Sequence, residues 1–509
     1  MQTYLSEKVS VAVEKARSDG CGMSRRIFVG SLGAAVVAPW LSSSRVGQAA
    51  GFPQPTAPPP ASPSLQDYFR CEEKYFGWLS KKFLVDQKPP YFAVGQKGSM
   101  PLSVLNRLHE GIDQIARDPF PVYLEPSAET RGKIARSYGA TVGEIAISRN
   151  TTDAISQILS GIDWQPGDEL LASTMEYPNC VATLLRVVGR WGLTLRQFGI
   201  PMTLDATAEE VVASLERQIH PGRTKVIFFS CPIQPVGQLM PARRIARLAQ
   251  QYGITTVVDG AHYGGQFVPE LAETGIDFFG ISGHKWQCGP GGTGILYVRN
   301  TVRPSNPTPL PRFHLIRSGD LEAPTDGSRP DDFDIGAALS LYGFPESADW
   351  RALGEVCELW DSIGRQRIED YILALGDYFR QRIMNVFGDP ALMQAVNDPE
   401  LKSGIVAFNP FPTPAQRRDA DLGNLFASRL YDEYGYRIGH GGLGPSGLTR
   451  PPDPEAQAFP EGCIPNRDPV TNAPAPTEFP MRANAFIWLT RADIDDFVAS
   501  CADLVSRMI

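Results

Sequence analysis

Three short stretches set reactive side chains directly behind apolar runs. They are Asn150-Thr151-Thr152 after EIAISR, Asp259-Gly260-Ala261-His262 after TTVV, and Ser282-Gly283-His284-Lys285 after DFFGI. Lys285 lies between DFFGIS and GILYV, which read as two buried strands, so it stands at the end of a core strand. Burial disfavours an ammonium ion, lowers its pKa and leaves an amine suited to Schiff-base chemistry. An aspartate at the end of an apolar strand needs a partner, and a cationic ring nitrogen would be a good one. A helix opening at Asn150-Thr151-Thr152 offers amide N–H groups and hydroxyls to a phosphate. Each piece also has an ordinary structural reading: an N-cap for the first, a loop-capping carboxylate for the second, a satisfied core histidine for His284.

Together these pieces are the parts that pyridoxal phosphate requires. A carboxylate keeps its pyridine nitrogen protonated, so the ring accepts electrons from a substrate α-carbon. A lysine carries its aldehyde as an imine until an amino compound displaces it. Lys285 is the expected Schiff-base lysine.

The elements that must position these residues alternate. Helical periods cover 102–117, 126–138, 151–162, 178–191, 207–219 and 241–252, and short apolar runs between them (EIAISRN, DELLAS, LTLRQF, TKVIFFS, TTVVDG) read as strands. Such alternation predicts an α/β fold with a mostly parallel sheet covered on both faces, which binds ligands beyond the carboxyl ends of its strands. One long helical stretch is expected from Trp350 to about Val386, followed by a Pro/Gly-rich segment at 441–480 that should cover the mouth of the site.

Length and charge set the bounds. A chain of 509 residues with 42% hydrophobic residues can bury more than one core. Its net charge, 48 minus 56 or -8, argues against nucleic acid as a partner. At the N-terminus Ser24-Arg25-Arg26-Ile27-Phe28 precedes an apolar run to Leu41 and a small-residue stretch with Gly47 and Ala49. That order resembles a twin-arginine export signal cleaved after Ala49, and implies the twin-arginine export machinery as a partner and a periplasmic or secreted enzyme. Six prolines between 53 and 63 then form a linker. The eight cysteines show no CxxC spacing, so neither a metal site nor an obvious disulfide framework is expected.

SRNTTDAI, EYPN, DGAH, SGHKW and MRANAFIWLTRADIDDFV, in that order from about residue 90 onward, resemble the class V aminotransferase superfamily of fold type I pyridoxal phosphate enzymes. That superfamily includes cysteine desulfurases, isopenicillin N epimerase and kynureninase. The resemblance implies that Thr151, Thr152, Ser282 and His284 hold the cofactor phosphate and Asp259 its pyridine nitrogen. It also implies that His262 approaches the phenolic oxygen, Tyr177 stacks on the ring, Lys285 carries the aldehyde and Arg482 grips a substrate carboxylate. Gln234 falls near a position where many members have Asn. The HKWQCGP loop is similar to that of isopenicillin N epimerase-like members. Gly442 stands where desulfurases have their catalytic cysteine, and Tyr342-Gly343-Phe344 departs from a Gly-Thr that often completes a neighbour's phosphate site. A homodimer is nevertheless expected.

The expected layout is a signal peptide at 1–49, a linker at 50–65, a large cofactor-binding domain at 66–362 and a small C-terminal α+β domain at 363–509, on which the start of the mature chain would pack. The expected function is action on a small-molecule, amino-acid-like substrate by aminotransfer or epimerase-type chemistry. The alternatives are a carbon–sulfur lyase and a non-catalytic binding protein on the same fold.

Overall fold

The structure, a computed structural model, describes residues 65–86, 88–119, 128–316, 318–320, 322–330, 333–341, 343, 346–441 and 478–509. The chain divides into two compact units, Met1–Trp78 and Leu79–Ile509. Most of helix α1 (Leu65–Ser80) belongs to the first; the second contains both sheets and every candidate cofactor-site residue.

In chain order, α2 (Leu102–Arg117) and α3 (Ala128–Ser137) precede β1 (Ile145–Ser148), α4 (Thr151–Gly161) and β2 (Glu169–Ser173). There follow α5 (Pro178–Trp191), β3 (Thr194–Phe198), α6 (Ala208–Glu216), β4 (Thr224–Ser230), α7 (Ala242–Tyr252), β5 (Thr255–Asp259), α8 (Leu271–Thr274), β6 (Phe278–Ser282) and β7 (Gly294–Val298). Helices α9 (Ile335–Ser340), α10 (Ser347–Ile363) and α11 (Arg365–Phe387) lead to β8 (Ile405–Phe408), α12 (Pro414–Arg418), α13 (Ala420–Tyr434), β9 (Gly439–His440), β10 (Met481–Asn484) and α14 (Arg491–Ser506).

The large sheet has the order β1-β7-β6-β5-β4-β2-β3. Its neighbours from β6 through β3 pair in parallel, whereas β7 runs antiparallel to both β6 and β1. Strands β1, β2, β6 and β7 are buried at every residue, as a sheet covered on both faces requires, and that burial is why their sequences are unbroken apolar runs. Ala154, Ile155 and Ile158 of α4 and Leu184 of α5 close one face over Phe228, Val257 and Phe278. Each such side chain contributes roughly 1.5–3 kcal/mol by leaving water.

Parallel pairing brings the carboxyl ends of β4, β5 and β6 to one edge. Ser230 lies opposite Asp259, and Asp259 opposite Gly280. Gly294 opens β7 between Ser282 and Ser148, which draws the start of α4 to the same edge. A Cβ on Gly294 would lie 2.6 Å from Ser148 Oγ and 2.8 Å from the Cα of Asn150, so only glycine lets β1 turn into α4 there.

The stretch 350–386 differs from expectation: it is two helices rather than one. Gly364 adopts φ 98°, outside the helical region, and serves both ends. Its N–H donates to the Trp360 carbonyl at 3.0 Å, and its carbonyl accepts from Ile368 N at 3.1 Å. The small sheet β8-β10-β9 is antiparallel, with Arg482 opposite Ala407 on one side and Gly439 on the other.

Candidate functional site

A cavity of about 760 Å³ opens at the carboxyl edge of the large sheet, lined among others by Asn150, Thr151, Thr152, Tyr177, Asp259, Ser282, His284 and Lys285. The sequence-predicted residues are thus gathered in one place, except His262 and Arg482. Those two line an adjoining cleft of about 30 Å³ with Gly95, Gln96, Gln234 and Asn484. Lys285 and His262 bridge the two, with Nζ 3.3 Å from Nε2.

On the α4 side, Asn150 is an N-cap whose side chain accepts from Asp153 N at 2.9 Å, so its structural reading holds. Thr151 Oγ1 and Ser282 Oγ hydrogen-bond at 2.8 Å, which ties the start of α4 to the end of β6. The helix presents the positive end of its dipole to the cavity. His284 is half-buried, and its Nδ1 is enclosed without a hydrogen-bond partner among the described residues. A hydroxyl pair and a helix start, with His284 lining the same wall, fit an anionic phosphate.

Asp259 is 3% exposed. One of its oxygens accepts from Ala261 N at 2.9 Å and the other from Cys180 Sγ at 3.1 Å. Burial and then the neighbouring Asp259 charge hold the Cys180 thiol well above the usual range, so it remains a neutral donor. Next to it lies Glu176, which the sequence reading passed over. It accepts from Ser173 Oγ, from Ser230 Oγ at 2.5 Å and from Ser230 N at 3.2 Å. Burial outweighs those bonds and pushes its carboxyl up to about 8. Glu176 therefore joins the ends of β2 and β4 immediately before Tyr177, whose backbone caps α5 ahead of Pro178.

Lys285 Nζ sits 5.9 Å from the centre of the Tyr177 ring. Burial pushes its amine down to about 8; Asp259 opposes the shift and Arg482 adds to it. The lysine backbone is fixed from outside, because Gly98 N donates to the His284 carbonyl at 2.8 Å and a Cβ on Gly98 would lie 2.1 Å from the Lys285 carbonyl oxygen. Trp286 Nε1 donates to His262 Nδ1 at 3.1 Å. Burial, then Lys285, Arg482 and His284, keep His262 well below the usual imidazole range.

Arg482 Nη1 donates to the Gln234 carbonyl at 2.9 Å, while its Nε is buried without a hydrogen-bond partner among the described residues. No carboxylate among the described residues pairs with it, and burial pushes its guanidinium down to about 10. Gln234 therefore enters the site through its backbone. Asn484, inside a quoted motif yet not singled out, accepts from Gly95 N at 2.6 Å and closes the cleft. Gly442, Cys463, Tyr342, Phe344 and nearly all of 441–480 lie outside the described residues, as does the twin-arginine segment. Among the cysteines, 180, 231, 288, 357 and 501 are free and buried, and Cys71 is disulfide-bonded. No metal-ligand cluster occurs among the described residues.

Glu176 yields a pH prediction. A carboxyl raised from 4.5 to about 8 on folding stabilises the fold fully below pH 4.5 and loses that contribution as pH rises through 8. Glu176→Gln removes this dependence. Denaturant melts should show the variant gaining on the wild type as pH rises from 5 to 8, by at most about 1.4 kcal/mol per pH unit; a constant difference would place the titration elsewhere.

Comparison with known proteins identifies the family. Residues 124–413 match the Aminotransferase class-V family. Isopenicillin N epimerase of Streptomyces clavuligerus is 28% identical over 338 residues, 64% of this chain and 82% of that protein. A probable cysteine desulfurase of Halalkalibacterium halodurans is 27% identical over 292 residues, 55% of this chain and 65% of that one. Among solved structures, a cystine C–S lyase in complex with its reaction product cysteine persulfide has the same fold, with a TM-score of 0.61 at 22% identity, covering 81% of this chain and 97% of the other. The chain belongs to the class V aminotransferase family, carries the fold type I α/β architecture, and uses pyridoxal 5′-phosphate.

Proposed function

We propose that this protein acts at the amino-bearing carbon of an amino-acid-like substrate, by epimerase-type or aminotransfer chemistry. The observation that carries this reading is Arg482: a buried guanidinium with a free Nε, lining the cleft that His262 and Lys285 join to the main cavity. A substrate carboxylate is the natural partner for such a cation. When bound, the cofactor supplies an electron sink for the pair left at the substrate α-carbon. Thr151, Thr152, Ser282 and His284 would hold its phosphate, Asp259 its ring nitrogen, Tyr177 a ring face, and His262 its phenolic oxygen. Lys285, whose amine burial pushes down to about 8, would attach the cofactor and would serve as the base at the α-proton. Carbon–sulfur lyase chemistry is the second reading, favoured by the likeness to desulfurases and to a cystine lyase.

The remaining features of this reading rest on sequence. Arg25-Arg26 and the apolar run behind them support export through the twin-arginine machinery to the periplasm or beyond. A homodimer is inferred from the family resemblance, and the charge of -8 weighs against nucleic acid.

Lys285→Ala should abolish the borohydride-trappable cofactor link without unfolding the protein; trapping at another lysine would remove Lys285 from the role. The wild type, screened with amino compounds, should lose its bound-cofactor absorbance band with those it accepts, and a colourless protein that binds no added cofactor would sink the enzyme reading. Arg482→Ala should weaken substrates with a free α-carboxylate by about 1.5–3 kcal/mol, measured as Kd. Unchanged affinity would shift the carboxylate elsewhere. Arg25→Lys with Arg26→Lys should leave cofactor-loaded protein in the cytoplasm, and periplasmic recovery of that double variant would contradict the export assignment.

A further inference from the structure

Trp286, the residue that gives the HKW loop its character, has no part in the chemistry above, yet it is fully buried and makes one directed polar contact. An indole N–H can donate and cannot accept. His262 Nδ1, 3.1 Å away, must therefore be the acceptor. A neutral imidazole with Nδ1 accepting carries its proton on Nε2, and Nε2 is the atom that faces Lys285 Nζ at 3.3 Å. An N–H directed at the lysine can bond to a neutral amine, which has a lone pair, but not to an ammonium, which has none.

We propose that Trp286 is a positioning residue: its indole N–H fixes His262 as the Nε2–H tautomer, and His262 in turn holds Lys285 as the neutral, nucleophilic amine. The inference deepens the proposed function and rests on it for the use made of Lys285, although the tautomer itself does not. The charged surroundings agree. The groups acting on His262 are Lys285, Arg482 and His284, none of which favours a second proton on the ring. Those acting on Lys285 are Asp259 and Cys180, which favour its charge, and Arg482, which opposes it; the Tyr177 ring lies beside it. Without Trp286, His262 could move its proton to Nδ1 and offer Nε2 as an acceptor to an ammonium. Lys285 would then hold its proton to higher pH.

The rest of the Trp286 side chain packs edge-to-face on Phe486, so Trp286→Phe keeps an aromatic ring and removes the donor. The experiment follows the rate at which cofactor-stripped protein forms a borohydride-trappable link with added pyridoxal phosphate as pH is varied, with thermal melting as a check of folding. Trp286→Phe should move the midpoint of that profile to higher pH by about one unit, the scale of a single lost contact to an ionisable group. The same substitution in a His262→Gln background should move it no further. A profile for Trp286→Phe that overlays the wild type, or a shift of equal size in the His262→Gln background, overturns the proposal. Histidine-selective ¹⁵N NMR of the same proteins reads the tautomer without cofactor. Nδ1 of His262 should be unprotonated in the wild type at neutral pH and become titratable in Trp286→Phe. A protonated Nδ1 in the wild type would also overturn the proposal. Failure of the wild type to trap cofactor while the NMR pattern holds would instead count against the cofactor chemistry assigned to Lys285.

Discussion

A carboxylate sunk at the end of an apolar strand is the constraint that organises this molecule. Asp259 is 3% exposed, and removing a charge from water is costly unless donors replace the water. Two such donors come from its surroundings: the turn that follows β5 supplies Ala261 N, and α5 supplies the Cys180 thiol. Both are weak stand-ins for a cation. Parallel pairing of β4, β5 and β6 keeps Asp259 at the edge where α4 and α5 begin and Lys285 emerges. A protonated ring nitrogen would complete what these two donors leave incomplete, which is why a cationic heterocycle suits this point.

Across the site the sign of charge reverses. Arg482, Lys285, His262 and His284 act on one another, and each is held below its ordinary range chiefly by burial. Basic groups crowded together in a buried site, with Asp259 as the acid acting on Lys285, bind anions readily and protons reluctantly. A phosphate at one end and a carboxylate at the other would satisfy them, and a nucleophilic amine lies between. The same crowding makes Lys285 reactive: burial and Arg482 act against its charge, and His262 presents a donor where an ammonium would need an acceptor.

How much of this could be read in the sequence depends on how far apart the partners lie along the chain. Strands buried on both faces announce themselves as apolar runs, and residues just past their ends could be singled out before any contact was known. Gly364 was less visible, because one glycine within a helical period gives no sign of a positive φ. Glu176 was invisible for a different reason. Its raised carboxyl comes from burial, and its partner Ser230, 54 residues further on, reaches it only when β2 and β4 pair. The Trp286–His262 bond spans 24 residues and depends on the turn after β6, so a motif that marked a subgroup gave no hint of its job. Arg482 came from resemblance alone; that no carboxylate among the described residues pairs with it is a fact of packing.

The choice among family chemistries turns on thiols. A desulfurase needs a thiolate free to reach the substrate sulfur, and at the position the family resemblance gives that thiol this sequence has Gly442. Cys180 is the cysteine bonded to Asp259, but it is no substitute. It is buried, its proton is committed to the Asp259 carboxylate, and burial together with that charge resists formation of a thiolate. Cys288, in the loop after Lys285, is equally buried and its thiol is likewise held up by burial. Among the described residues the thiols near the lysine thus serve as packing or as a weak donor, whereas burial brings Lys285 down, and Glu176 up, to about 8. Chemistry that moves a proton at carbon suits that inventory better than chemistry that moves sulfur to the protein.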